Sequence, residues 1–234
     1  MSKYAQLWLS SIALAALMAS AGAQTWDEFA NGGGDAGDLP ATAQVVLGSG
    51  PLTTITGTYD ADDVDMYQIL ICDPAIFSVQ VTAAGFDTQL WLFDINGNGK
   101  LHNDDDPTGA LGLRSHMGAT AGDVYFGSAP VGPWSSWQPA NLPAGLYYLA
   151  ISRYNRDAYS AAGRIWLNSP FSLQRVPDDV GAPGPVAYWS GTTSAGGAYT
   201  ITLEGACFVP EPASMMALGA GLAGLLGLRR RRKA

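Results

Sequence analysis

Residues 76–83 read "IFSVQVTA": Phe77, Val79 and Val81 are apolar, and Ser78, Gln80 and Thr82 between them are polar. A period of two marks a strand with one face on a core and one in water, because successive side chains leave a pleated backbone on opposite sides. "TQLWLFD", residues 88–94, is apolar at both parities, which predicts a central strand. Other strand-like runs are "AQVVLG", "LTTITGTY", "VDMYQILIC", "DVYFG", "GLYYLAIS", "GRIWLN", "PFSLQR", "VAYWS" and "AYTITLEG". Gly, Pro, Asn and Asp turns separate them, and no amphipathic helix of useful length stands out between Gln24 and Val209. The pattern predicts an all-β chain forming a single, jelly-roll-like β-sandwich. Two stretches exceed ordinary hairpin loops and read as insertions: residues 106–141 and residues 155–197.

The two ends read as processing segments. Lys3, the apolar run "LWLSSIALAALMAS" and Ala21-Gly22-Ala23 make the three parts of a secretory signal, with cleavage by signal peptidase before Gln24. At the other end, Val209, Pro210, Glu211 and Pro212 precede sixteen uncharged residues, 213–228, and a basic block from Arg229 to Lys233. The prolines favour an extended peptide free of strand pairing. The uncharged run would span about 24 Å as a helix, so it crosses a hydrocarbon core only with help from its flanks. The arginines would stay on the cytoplasmic side. The chain therefore divides into a signal helix (1–23), a Gly- and Asp-rich lead-in loop (24–42), a sandwich (43–208) and a tail (209–234) with a transmembrane helix.

Between Gln24 and Val209 there are 19 acidic and 6 basic residues, a net charge of −13. A body this acidic repels phosphate backbones and argues against nucleic-acid binding. It suits divalent cations, and equally it suits plain solubility. Cys72 and Cys207 both fall in the exported part, where an oxidising compartment permits a bridge. The alternative is two buried free thiols.

Four segments, taken in order, resemble the bacterial pre-peptidase C-terminal domain family: "GTYDADDVDMYQILI", "FDTQLWLFDINGNGKLHNDDD", "LPAGLYYLAISRY" and "GGAYTITLEG". The resemblance implies a β-sandwich accessory module without catalysis of its own, some members binding calcium or matrix polymers. The insertions depart from that family. The tail resembles the PEP-CTERM sorting signal, which implies a membrane-embedded cysteine transpeptidase, exosortase, acting at Pro-Glu-Pro. It also implies a host that secretes exopolysaccharide.

One loop carries candidate chemistry. "DINGNGKLHNDD", residues 94–105, has Asp-x-Asn-x-Asn-Gly spacing that aims Asp94, Asn96 and Asn98 at one point, with the Lys100 carbonyl and Asp105 as further oxygens. The competing reading is a polar hairpin turn, since Asn-Gly is a strong turn signal. Asp65 in "DADDVD" reads as ordering a strand start. His102 and His116 lack companions at zinc spacing. Trp134, Trp137, Trp166 and Trp189, in or near the insertions, are candidates for stacking on sugars or for burial. No nucleophile elbow is present.

The sequence thus predicts a non-enzymatic protein, exported and briefly anchored by its tail, then placed at the cell surface or in an exopolysaccharide matrix, with calcium as its cofactor. The alternative is a secreted hydrolase of matrix glycans or peptides with its site in the insertions.

Overall fold

A computed structural model describes residues 24–211. The signal segment, Pro212 and the apolar, Arg-ended tail lie outside the described residues. The first half contains β1 (Thr25–Asp27), β2 (Gln44–Val45), β3 (Leu47–Gly48), β4 (Thr54–Tyr59), β5 (Asp65–Ile71), β6 (Ser78–Ala84), β7 (Thr88–Asp94) and β8 (Gly99–Asn103). Next come β9 (His116–Gly118), β10 (Asp123–Phe126), β11 (Ala129–Pro133), α1 (Trp134–Asn141) and β12 (Gly145–Arg153). The rest are β13 (Asp157–Ser160), β14 (Gly163–Arg164), β15 (Gln174–Arg175), β16 (Tyr188–Ser190), β17 (Gly197–Glu204), β18 (Ala206–Cys207) and β19 (Val209–Pro210). Among the described residues the fold is all-β apart from one eight-residue helix.

Two sheets dominate. The smaller has the order β1-β4-β17-β6-β9. In it Ile201 of β17 lies opposite Ile55 of β4 and Val81 of β6, and Trp26 of β1 lies beside Ile55. The larger runs β11-β10-β15-β8-β7-β12-β5-β18, with β2 also on β5. There Leu149 of β12 faces Tyr67 on one side and Leu92 on the other. Alternate residues of both sheets meet in one apolar cluster: Ile55, Val79, Val81 and Ile201 from the smaller, Ile69, Leu90, Leu92, Leu149 and Ile151 from the larger. The period of two is realised through β6: Phe77 just before it, Val79 and Val81 are fully buried, while Gln80 and Thr82 are only partly so.

The opposite face of the larger sheet is also covered. Met66, Trp91, Phe93, Tyr148 and Ala150 point into a second cluster with Ala158, Ile165, Trp166, Val186 and Trp189. The last five come from residues 155–197, whose short strands form a separate sheet β14-β13-β16. Burial on both faces explains why β7 is apolar at both parities, since a strand covered on both sides has no polar face. The inserted segments also widen the sheet, because β15 and β10 pair in parallel and β15 meets β8 through Arg175 and His102. All four tryptophans considered for sugar stacking are buried, none more than 7% exposed. Their rings serve the core. Helix α1 is short and lacks an amphipathic pattern, in keeping with the expectation that no amphipathic helix of useful length lies in this span. It is held by Trp134 and Trp137 packing into the main cluster rather than by an amphipathic stripe.

The lead-in and the tail are both tied into the body. β1 pairs with β4, and residues 24–42 thus contribute a strand as well as loop. Val209 and Pro210 pair in parallel with Leu47 and Gly48, contrary to the expectation that the prolines keep this peptide out of any sheet. The reason is that the pairing uses donors proline does not need to supply: the Val209 amide donates to the Val46 carbonyl at 2.8 Å, and the Phe208 amide to Gly50 at 3.1 Å. Two residues earlier, Cys207 is joined to Cys72 at the end of β5, 135 residues away in sequence. Closing so long a loop stabilises by about 5 kcal/mol through chain entropy. The double substitution Cys72→Ser, Cys207→Ser is expected to lower unfolding free energy by about that amount in urea titrations.

Candidate functional site

Asp94 ends β7, and its carboxylate is committed to the turn that follows. Oδ1 accepts the amides of Asn96 (2.9 Å) and Asn98 (3.0 Å), and the Asn98 side-chain amide donates to both carboxylate oxygens. The Asp94 amide in turn donates to the Asn98 carbonyl, and Gly97 takes a positive φ of 81°. This is a hairpin joining β7 to β8, as the turn reading had it. Lys100 lies in β8 and Asp105 just beyond its far end, so Asp94 and Asp105 sit at opposite ends of the hairpin. At roughly 3.3 Å per strand residue they are about 20 Å apart. The five residues spaced like a calcium loop are not brought together.

Two other groups of carboxylates are. In the first, Glu28, Asp35 and Asp65 offer oxygens all within 4.8 Å of one another. Glu28 and Asp65 are fully buried. Glu28 accepts the Ala36 amide at 3.0 Å and the Thr58 amide at 2.9 Å. Neither oxygen of Asp65 has a hydrogen-bond partner. Burial pushes the Asp65 carboxyl up to about 10, with the Glu28 and Asp63 charges adding. The nearby Tyr67 and Tyr199 hydroxyls bond to each other. Gly57 makes room for them, since a Cβ there would lie 2.3 Å from the Tyr199 hydroxyl and 2.8 Å from Glu28 Oε2. Asp65 opens β5, as a strand-start residue does, and also lies in this buried carboxylate group.

The second group is Asp87, Asp104 and Asp105, again with oxygens within 4.8 Å of one another. Asp87 opens the turn into β7, and Asp104 and Asp105 follow β8. The antiparallel hairpin that separates Asp94 from Asp105 is what brings Asp105 beside Asp87. Burial raises Asp104 to about 9, with the charges of Asp87, Asp105 and Asp157 adding; burial likewise raises Asp87 to about 6.

A third constellation joins Ser78, His116, Asp106 and Thr120. His116 Nδ1 is 2.9 Å from Asp106 Oδ1, and Nε2 is 2.8 Å from Thr120 Oγ1 and 3.4 Å from Ser78 Oγ. The order acid–imidazole–hydroxyl resembles a hydrolase triad. Asp106, however, also accepts the amides of Thr108 and Leu111 and the Thr108 hydroxyl, as the organiser of its own loop. His102 is buried elsewhere, stacked on Trp91 at 3.7 Å, and burial lowers it to about 3.

No helix among the described residues is long and apolar enough to cross a membrane. At the C-terminal end Pro210, the last residue of the final paired strand, and Glu211 just after it are both exposed. The described residues thus form an almost wholly β body that ends within a tail motif of the sequence. Residues 208–232 match the PEP-CTERM protein-sorting motif, which marks the chain for exosortase-dependent export to the cell surface and for processing by exosortase. No curated protein and no solved structure matches the chain, so the likeness to the pre-peptidase family gains no support from relatives.

A carboxyl with a folded pKa above its ordinary value binds more protons folded than unfolded, so its contribution to stability is complete below about pH 4 and is lost as pH rises toward the folded value. For Asp65 and Asp104 that window reaches from about 4 to about 10 and about 9. In chelator, stability is expected to fall between pH 5 and pH 8, by at most about 1.4 kcal/mol per unit for each such group. Denaturant titrations should show this slope, and Asp65→Asn or Asp104→Asn should flatten it.

Proposed function

We propose that this is a non-catalytic surface protein, folded as a β-sandwich, that works in the extracellular polysaccharide matrix and uses calcium to stay there. The observation that carries the reading is the sorting motif at residues 208–232, which supports delivery to the cell surface, where such a matrix lies. The net charge of −13 between Gln24 and Val209 supports the calcium part. An acidic protein and an acidic polysaccharide repel each other, and a hard divalent cation shared between carboxylates removes that repulsion. The buried tryptophans argue for charge and cation bridging rather than ring stacking as the mode of attachment. Fractionation of producing cells tests this. The protein should be recovered with the matrix, be released by a calcium chelator and return with added calcium. Loss of exosortase should leave the chain in the membrane fraction.

One observation favours a second reading, a secreted hydrolase. Ser78 lines an open groove of about 280 Å³ with Gln80, Thr202, Leu203 and Glu204, and Ser78 and Thr120 both lie against the His116–Asp106 pair. The 3.4 Å separation of Ser78 from His116 and the shorter Thr120 contact favour a structural network. A fluorophosphonate probe is expected to leave the protein unlabelled. Stoichiometric labelling that disappears in Ser78→Ala would replace the non-catalytic reading with the hydrolase.

A further inference from the structure

We propose that Asp87, Asp104 and Asp105 form a calcium site at a cavity walled by Leu113, Tyr154 and Phe171. The inference gives a place to the ion invoked above and rests on that reading only for its biological use. The cavity measures about 170 Å³ and is lined by these six residues.

Three observations converge. First, the donor geometry fits. Two oxygens on opposite sides of a calcium ion bound at about 2.4 Å lie about 4.8 Å apart, so three carboxylate oxygens all within 4.8 Å can share one ion. Magnesium, at about 2.1 Å, draws oxygens within about 4.2 Å and demands a regular octahedron, which three carboxylates on two loops do not impose. Second, Asp104 is only 3% exposed, and its Oδ1 has no hydrogen-bond partner. Oδ1 of Asp87 is orphaned in the same way. A buried carboxylate without partners is costly, and a bound cation removes that cost.

Third, the site is held from all sides by main-chain bonds. The Tyr154 amide donates to the Asp87 carbonyl, the Asp105 amide to the Phe171 carbonyl, and the Thr88 amide to the Leu113 carbonyl, each at 3.1 Å. Every apolar wall is thereby tied to a carboxylate residue or its neighbour. The two arginines nearest in charge are engaged elsewhere. Arg175 lies 3.5 Å from Asp178 and donates to Ser169, and Arg153 donates to the carbonyls of Ser194 and Ala195. Tyr154 and Phe171 are each 39% exposed, which leaves one side of the ion open to water.

The test uses the full chain in detergent, with its export and sorting segments. Terbium is the first probe, because Tyr154 in the cavity wall can sensitise its luminescence, and calcium competition is the second. Wild type is expected to give saturable terbium luminescence displaced by calcium, and a calcium-dependent rise in melting temperature. Asp104→Asn is expected to weaken binding at least tenfold and abolish the thermal shift, while melting in chelator no lower than wild type. Asp105→Asn, at the half-buried rim, is the second variant should Asp104→Asn fail to fold. Asp94→Asn, in the hairpin turn, should bind as wild type does. No saturable binding by wild type at millimolar calcium overturns the site, as does less than tenfold weakening in both site variants. A chain that binds here but is not held in the matrix by calcium overturns the functional reading alone. A chelator-sensitive matrix protein whose Asp104→Asn variant binds calcium normally overturns the site alone.

Discussion

Burial of the larger sheet on both faces is the constraint on which the other features depend. Leu90, Leu92, Leu149 and Ile151 pack toward the smaller sheet, and Trp91, Phe93, Tyr148 and Ala150 toward the second inserted segment. Each fully buried large side chain removes on the order of 1.5–3 kcal/mol of unfavourable hydration. With both faces occupied, the loops at the strand ends carry the polar chemistry. The acidic residues that remain close to the body are therefore concentrated where strands begin and stop: Asp65 opens β5, Asp87 precedes β7, and Asp104 and Asp105 follow β8.

That arrangement explains how a body of net charge −13 holds several carboxylates out of water. Most acidic side chains are solvated and cost little. Asp65 and Asp104 are buried without hydrogen-bond partners, and neighbouring carboxylates raise their affinity for a proton further. Such groups stay protonated or attract a cation, and the second outcome links stability to the ionic content of the surroundings. For a protein delivered outside the cell, calcium would then act as a structural component.

The strands were largely legible because their periodicity reflects burial. "IFSVQVTA" and "TQLWLFD" each declared how many faces they would cover, and both did so. The insertions were harder. "GRIWLN" and "PFSLQR" look like full strands, but only Gly163–Arg164 and Gln174–Arg175 pair, while Ile165 and Trp166 are apolar because they cap the far face of the sheet. Short edge strands such as His116–Gly118 carry no pattern at all and exist because β6 offers them an unpaired edge. The Val209–Pro210 pairing runs against the expectation of an unpaired peptide, because proline disfavours a sheet only where its missing amide is needed.

The sequence by itself determined the strand-rich class, the acidity and, through the tail, the destination, because each is written in contiguous residues. It also marked residues 94–105 as oxygen-rich. Only the tertiary structure decided which oxygens meet. The β7–β8 hairpin unrolls that segment, spends Asp94 on its own turn and carries Asp105 to Asp87, a neighbour that loop spacing does not reveal. Likewise Glu28 reaches Asp65 only because β1 pairs with β4 at the edge of the sheet. Contacts between distant carboxylates follow from strand register and loop closure, and no local pattern encodes those.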